Sequence, residues 1–179
     1  MHGDPSAEIP LAALTLDAQL RARSTSGETE IAADGFFESA MVTALAPEQC
    51  LTEVCFPVWN ADGRVGTGFH EVSSRQSDFA VVAAAAQVQV DPDGTCRRAA
   101  IGAGGVAATP VRLRALETAL TGIRLDPAAV SATLDAIAGD IDPESDLHGT
   151  ADYRRRVVRI LVERAIMDAA QEATGEAAS

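Results

Sequence analysis

The stretch GFHEVSSRQSDFAVVAAAAQVQV, residues 68–90, begins with polar and charged side chains and becomes an almost uncharged run of small apolar ones. The first part is too polar to be plain core, whereas the second part is typical of a buried strand. No nucleophile and base stand at a spacing that indicates an obvious active site. These residue types therefore supply no catalytic set of their own, and their purpose depends on what lies beside them.

Metal-binding and disulfide chemistry are both disfavoured by the spacing of the histidines and cysteines. The histidines are His2, His70 and His148. None of them forms the i,i+4 pair that binds a metal from one helix face. The cysteines are Cys50, Cys55 and Cys96. This odd number, without a C-x-x-C pair, predicts three small buried apolar residues and not a disulfide framework or a metal site.

Two further motifs have a structural and a functional interpretation. The segment IGAGGVAAT, residues 101–109, lacks the G-x-G-x-x-G spacing of a dinucleotide site. It predicts a close-packed turn between a strand and a helix. The arginine run at 154–156 could bind an anion, but a solvated helix face or a set of salt bridges is the more common role. We favour the structural interpretation for both motifs.

The composition predicts an acidic protein with an aliphatic core. The 179 residues carry a formal net charge of −12, and all 14 positive charges are arginines. An acidic surface repels nucleic acids and anionic membranes, so neither is an expected partner. The N-terminus shows no signal-peptide pattern, and no run reaches the roughly 18 apolar residues of a membrane helix. A cytoplasmic location without membrane insertion is the expectation.

The hydrophobic patterns predict strands first and helices afterwards. In the first part we expect a helix or buried segment, a β-hairpin, a strand and a junction; these lie at 9–18, 19–32, 50–57 and 60–68. We then expect three antiparallel strands at 67–75, 78–91 and 95–104. The last elements are helices at 108–122, 126–140 and 151–172, the first starting from Thr109 and Pro110 and the second from Asp126 and Pro127. On the last helix one apolar stripe is expected, formed by Tyr153, Val157, Ile160, Leu161 and Ala165. Strands followed by helices without βαβ alternation indicate the α+β class.

Several motifs in the same order resemble one family. The segments GFHEVSSRQSDFAVV, GGVAATP and DLHGTADYRRRVVRILVERAI resemble the C-terminal domain of the FAD-binding medium subunit of molybdenum hydroxylases, the xanthine dehydrogenase and aerobic carbon-monoxide dehydrogenase family. GDPSAEIPLAALTLDA and ALAPEQCLTEVCFP are similar to the last part of its FAD-binding domain. Ser74 stands where many members have an arginine. The resemblance covers about residues 2–170.

The resemblance implies an architecture and a set of partners. Residues 1–62 would be the second part of the FAD-binding domain, 63–172 the C-terminal domain with three strands against a three-helix bundle, and 173–179 a disordered tail. The family's N-terminal FAD subdomain, with its Gly-Gly-x-Ser loop for the pyrophosphate, has no counterpart in the sequence, so the FAD site would be incomplete. Iron–sulfur clusters and the molybdenum cofactor would belong to a small and a large partner subunit.

The resemblance also implies four residues at the cofactor. Asp4 and Glu8 match polar positions beside the flavin, and Leu51 matches a position bordering the isoalloxazine ring. His70 matches a position where relatives often have a basic side chain that reaches the flavin. The alternatives are that Leu51 is a core residue and that His70 is an ordinary surface position on a strand.

Two functions from different classes remain open at this point. The first is an electron-transferring FAD-binding subunit, or a fragment of one, in a molybdenum-containing oxidoreductase. The alternative is a flavin-free interaction or scaffold domain derived from that subunit. We also expect an exposed apolar face carrying Phe36, Phe37, Leu51 and Val54, which would favour a homo-oligomer when the chain is alone.

Overall fold

The computed structural model describes residues 3–59, 64–75 and 78–175. The helices are α1 (Glu8–Thr15), α2 (Arg114–Leu120), α3 (Pro127–Thr133) and α4 (Ala151–Thr174). The strands are β1 (Gln19–Ser24), β2 (Gly27–Ala32), β3 (Phe37–Ser39), β4 (Val42–Thr43), β5 (Cys50–Cys55), β6 (Arg64–Ser73), β7 (Ala80–Val90), β8 (Cys96–Gly104) and β9 (Val111–Arg112). The expected domain boundary at 62/63 lies outside the described residues.

The N-terminal part is a small antiparallel sheet with strand order β2-β1-β5. Leu20 and Ala22 alternate with the arginines of β1 and are fully buried on the inner face. On the outer face Arg21 pairs with Glu30 at 3.1 Å and with Glu53 at 2.7 Å, one carboxylate on each neighbouring strand. The predicted hairpin at 19–32 is confirmed, and its polar face is held by cross-strand ion pairs.

The aromatic pair after the hairpin forms a core of its own. Phe36 is fully buried, and its ring meets that of Phe37 edge to face with centroids 5.2 Å apart. Leu51 and Val54 pack against the same cluster from β5. The expected exposed apolar face is therefore wrong, because these side chains cover one another. β5 ends at Cys55, so Phe56 falls outside the strand and is half exposed.

The second sheet is antiparallel with strand order β6-β7-β8-β9, one strand more than the three we expected. The extra strand, β9, pairs Val111 and Arg112 with β8. The expected helix at 108–122 therefore begins only at Arg114. Pro110 is compatible with an extended segment as well as with a helix start, and pairing with β8 decides between the two.

α2 and α4 pack directly on this sheet, and α3 contacts both of these helices, so the expected three-helix bundle is not confirmed as such. α4 packs on β6 and β7, whereas α2 packs on β8. Asp126 caps α3 through Ala129 N–H as expected, but this helix ends at Thr133 and continues as a 3-10 helix to Gly139. Thr150 caps α4. The predicted apolar stripe of α4 is wrong at Ile160, which is half exposed.

Small residues allow helices to approach both faces of the sheet. On one face, a Cβ added to Gly66 or Gly68 would lie 2.1 Å from a backbone carbonyl oxygen of α4. On the other face, a Cβ on Gly102 would lie 2.0 Å from the hydroxyl of Thr15 in α1. The sheet is thus the middle layer between α4 and α1. Within the described ranges, no helix has the length and apolarity needed to cross a bilayer.

A buried arginine joins the N-terminal region to the sheet. Arg112 donates to Asp17 at 2.7 Å, to Glu117 at 2.7 Å and to the carbonyl of Leu14 at 3.3 Å. Burial alone lowers the pKa of Arg112, but the two carboxylates outweigh it and raise the pKa. The guanidinium therefore stays charged and connects the end of α1 with β9 and α2.

Candidate functional site

The loop before α1 is held by hydrogen bonds within itself and by one backbone hydrogen bond to the turn after β8. Asp4 accepts from Ser6 N–H at 2.8 Å through its carboxylate and from Ala7 N–H at 3.2 Å through its carbonyl. The carbonyl of Pro5 accepts from Gly105 N–H at 3.0 Å. Gly105 needs the left-handed backbone, with φ +72°, and a Cβ there would also meet the carbonyl of Val81. The close-packed turn predicted at 101–109 is confirmed, although β9 follows it before the helix.

Three cavities, of about 290, 310 and 210 Å³, lie near this loop, and the first and third of them are lined by its residues. The cavities of about 290 Å³ and about 210 Å³ share Ser6, Asp146 and Arg154 in their walls. The smaller one is completed by Asp4, Ser74, Asp78, Phe79, Ala80, Val81 and His148. The ring of Phe79 is 66% exposed, so one wall offers an aromatic face to a bound molecule.

Arg154 is the shared wall of these two cavities. Its guanidinium donates to the carbonyls of Val81 and Gly105 and to Asp146, the last at 2.7 Å. The residue is only 5% exposed, and its Nε has no hydrogen-bond partner among the described residues. The structural interpretation of the arginine run is confirmed for Arg154, which ties β7, the glycine turn and the loop before α4 together.

The partner carboxylate is held in its charged form. Burial raises the pKa of Asp146, but the Arg154 guanidinium and the backbone N–H groups of His148 and Gly149 outweigh it and keep the pKa below its usual value. The N–H bonds are 2.8 Å and 2.9 Å long. The same turn is closed by Asp146 N–H donating to the Gly149 carbonyl. The ionised Asp146 carboxylate therefore connects this loop to Arg154.

Acid should weaken this connection. Because the folded pKa of Asp146 is lowered, its stabilising contribution is present above the unfolded pKa and is lost as the pH falls through the folded value. We expect the free energy of unfolding to fall less between pH 6 and pH 3 in Asp146→Asn than in the wild type, as measured by urea denaturation. Asp152→Asn, at an exposed position on α4, is the control. Equal pH dependence in Asp146→Asn and the wild type would contradict this.

The structure gathers only some of the residues expected at the cofactor. Asp4 lies in the wall of the smaller cavity, and Glu8 is exposed on the first turn of α1. Leu51 lies on β5 in the other sheet, half-buried against the Phe36 cluster. His70 lies on β6 and projects to the face covered by α4, where Nε2 is 2.7 Å from Asp168 Oδ2. A shared cofactor role for these four residues stays a prediction.

Phe79, Ser6 and Asp146 were missed as candidate site residues. The pattern Asp146-x-x-Gly149 is typical of an Asx turn and could have indicated a rigid loop. Phe79 reads in the sequence as the first member of a buried apolar strand, and its exposure becomes visible only in the fold. In the part of the chain that the structure describes, no group of three His, Cys, Asp or Glu side chains is placed to hold a metal ion.

The thiols differ in environment. Burial raises the pKa of the Cys96 thiol to about 11, against a smaller opposite contribution from the backbone of Arg98. Cys50 is exposed and Cys55 is half-buried, so the expectation of three buried cysteines is confirmed only for Cys96. At pH 8 we expect a chromogenic disulfide reagent to modify Cys50 rapidly and Cys96 only after unfolding, because the thiolate is the reactive form. Mass spectrometry of peptides after timed quenching would measure this. Fast labelling of Cys96 in the native chain would contradict it.

Comparison with known proteins shows which family this chain resembles. Residues 67–169 match the CO dehydrogenase flavoprotein C-terminal domain, and residues 1–59 match the FAD binding domain in molybdopterin dehydrogenase. The chain is 34% identical over 172 residues to the 6-hydroxypseudooxynicotine dehydrogenase complex subunit alpha of Paenarthrobacter nicotinovorans, covering 96% of this chain and 57% of the relative. It is 30% identical over 165 residues to the carbon monoxide dehydrogenase medium chain of Afipia carboxidovorans, covering 92% and 56%.

The fold comparison agrees with the sequence comparison. The carbon monoxide dehydrogenase structure from Hydrogenophaga pseudoflava superimposes with a TM-score of 0.89 at 28% identity, covering 96% of this chain and 59% of that one. The chain thus spans somewhat more than half the length of the relatives it matches. Both matched regions occur in one chain and in the order that the resemblance implied. The chain therefore belongs to the family of FAD-binding medium subunits of the molybdenum hydroxylases.

Proposed function

We propose that these residues form part of an FAD-binding, electron-transferring medium subunit of a molybdenum-containing oxidoreductase. In this proposal a small iron–sulfur subunit and a large molybdenum-binding subunit are the partners. When bound, FAD would accept electrons from the iron–sulfur clusters and pass them to an acceptor. The observation that carries the proposal is the joint match of an FAD-binding region at 1–59 and a flavoprotein C-terminal region at 67–169.

The cavity of about 210 Å³ beside the loop before α1 suits the isoalloxazine end of FAD. Phe79 offers an exposed aromatic face on which a flat ring can stack. Arg154 lines the same cavity, where its guanidinium is fixed by Asp146 and by the carbonyls of Val81 and Gly105. The carboxylates of Asp4 and Asp146 and the hydroxyl of Ser6 can bind ligand hydroxyl or N–H groups. The chain's own part is therefore to bind and orient the ring and to exclude water from one of its faces.

The same proposal assigns a cofactor contact to each of the four residues that the resemblance implies. Glu8 would accept a hydrogen bond from the cofactor on the exposed first turn of α1. Leu51 would border the isoalloxazine ring from β5, and His70 would approach it from the edge strand β6. Of these four residues, Asp4 lines the cavity of about 210 Å³.

The test begins with the cofactor affinity of the 179-residue chain alone. We expect it to purify almost colourless and to bind FAD with a Kd weaker than about 1 μM, because none of its residues forms the Gly-Gly-x-Ser loop whose N–H groups would hold the pyrophosphate. Fluorescence titration with FAD and flavin absorbance after purification would measure this. Stoichiometric FAD bound below that concentration would contradict the incomplete site.

The second part of the test is assembly. When the protein that contains these residues is co-expressed with candidate iron–sulfur and molybdenum subunits, we expect a stable complex with one FAD per medium subunit. A complex that assembles without FAD would support the flavin-free scaffold instead.

Exposed apolar residues also suggest self-association of the isolated chain: Ile9, Met41, Val42, Phe56, Val58, Phe69, Phe79, Leu147 and Ile160.

A further inference from the structure

One flank of α4 lies along the outer edge of β6. Alternate residues of β6 face α4, and Gly66 and Gly68 bring the two backbones into contact. His70 is the next residue in this alternation, so its ring also reaches the helix. Its Nε2 lies 2.7 Å from Asp168 Oδ2, across 98 residues of sequence. The ring is therefore held by a residue that no local sequence pattern connects with it.

Asp168 belongs to a row of charged side chains on this flank. Arg164, Asp168 and Glu172 follow one another at four-residue spacing, which places them on the same side of α4. One turn from Asp168, Glu172 accepts from the backbone N–H of Thr67 and, at 2.9 Å, from its hydroxyl. Two consecutive carboxylates of the row thus bind donors of β6.

The pairing determines which nitrogen of the neutral imidazole carries the hydrogen. A carboxylate oxygen can only accept, so Nε2 must donate, and Nδ1 then keeps a free lone pair. The β7 residue paired with His70 is Ala84, whose side chain offers no competing polar atom. Glu71 projects to the opposite face of the sheet. From α4, Asp168 is the charged group in contact with the ring, and Arg164 and Glu172 lie one turn away from it on the same flank.

We propose that Asp168 is a positioning residue that fixes His70 in the Nε2–H tautomer and leaves Nδ1 as the nitrogen that meets the cofactor. The inference rests on the proposed function, in which His70 faces the isoalloxazine ring. Nδ1 of the neutral imidazole then accepts a hydrogen bond, so it suits the imide N–H of a flavin. The protonated imidazole would instead donate from Nδ1 to a ring carbonyl or to a reduced, negatively charged ring.

The tautomer is measured without any cofactor. Long-range ¹H–¹⁵N correlation spectra of the histidine-labelled 179-residue chain at pH 8.5, where an ordinary imidazole is neutral, distinguish the two forms. We expect the Nε2–H form for His70 in the wild type. In Asp168→Asn the amide can donate to Nε2, so the population should shift toward the Nδ1–H form. His70→Gln assigns the signal, and Asp152→Asn on the same helix should leave it unchanged.

The outcomes separate this inference from the proposed function. A wild-type Nδ1–H form, or a spectrum unchanged in Asp168→Asn, would overturn the role of Asp168 and leave the family assignment untouched. In the FAD-loaded complex, we expect both His70→Gln and Asp168→Asn to shift the flavin midpoint potential. A shift in His70→Gln alone would overturn the role of Asp168. No shift in either variant would overturn the placement of His70 at the flavin in the proposed function as well.

Discussion

Gly68→Ala is expected to destabilise the chain by more than about 3 kcal/mol, at the upper end of what overpacking costs. A Cβ at this position would lie 2.1 Å from the Ala165 carbonyl oxygen and 2.9 Å from the carbonyl carbon. These are backbone atoms in the middle of a helix, so no side-chain rotation can relieve the contact. The helix would have to move away from β6, and the packing of α4 on the sheet would be lost with it.

Urea denaturation followed by circular dichroism measures the loss. Gly139→Ala is the matched control, since nothing lies within 4 Å of a Cβ there and its backbone is not left-handed. If Gly68→Ala is too unstable to purify, Gly68→Ala and Gly139→Ala can be compared by soluble yield and by protease resistance in lysate. A Gly68→Ala variant as stable as the control would show that α4 does not approach β6 in this way.

Arg154→Met is expected to cost about 2–4 kcal/mol, because it removes the donor from several buried acceptors at once. The carbonyls of Val81 and Gly105 would both lose their bond to the guanidinium. Asp146 would lose its ion pair, but its side chain is about half exposed and can be solvated, which limits that part of the loss. Methionine keeps the apolar stem, so the effect isolates the guanidinium.

Arg156→Met is the control for this variant. Arg156 lies on the same helix and is exposed, so its replacement should change the free energy of unfolding by no more than about 0.5 kcal/mol. Proteolysis provides a second measurement, since Arg154→Met should expose the loop before α4 to cleavage near residues 142–149 under conditions in which the wild type resists. Equal unfolding free energies and equal cleavage in Arg154→Met and Arg156→Met would disprove the idea that Arg154 holds β7, the glycine turn and the loop before α4 together.

The elements found from the sequence are those with a strong local pattern. The hairpin of β1 and β2, the long strands β7 and β8 and the helix α4 have clear periodicity or turn residues, and they occur where expected. β9 was missed because Pro110 fits a helix start and an extended segment equally well. The predicted apolar stripe of α4 was wrong at Ile160, which is half exposed. The sequence of a helix does not show from which side a sheet will cover it, because that depends on the tertiary packing.

The site was harder to find than the fold for the same reason. The resemblance placed Asp4 beside the cofactor, and the fold places it in a cavity wall. The partners that decide what each side chain can do lie far away in sequence, such as Asp168 for His70 and Val81 for Arg154. No spacing rule connects such pairs, because only the packing of α4 on the sheet brings them together.

The carboxylate of Glu172 has a consequence for how copies of this chain can meet. β6 is the last strand on its side of the sheet, and such a strand invites a strand of another molecule to continue the sheet. Glu172 already occupies the N–H of Thr67 on that open side, and Arg64 reaches from the same strand to the end of α4. A strand from a second molecule would have to displace the Glu172 carboxylate before one of its own carbonyls could accept from the Thr67 N–H. Sheet extension through β6 is thereby disfavoured at Thr67, and we expect self-association to use side-chain surfaces elsewhere.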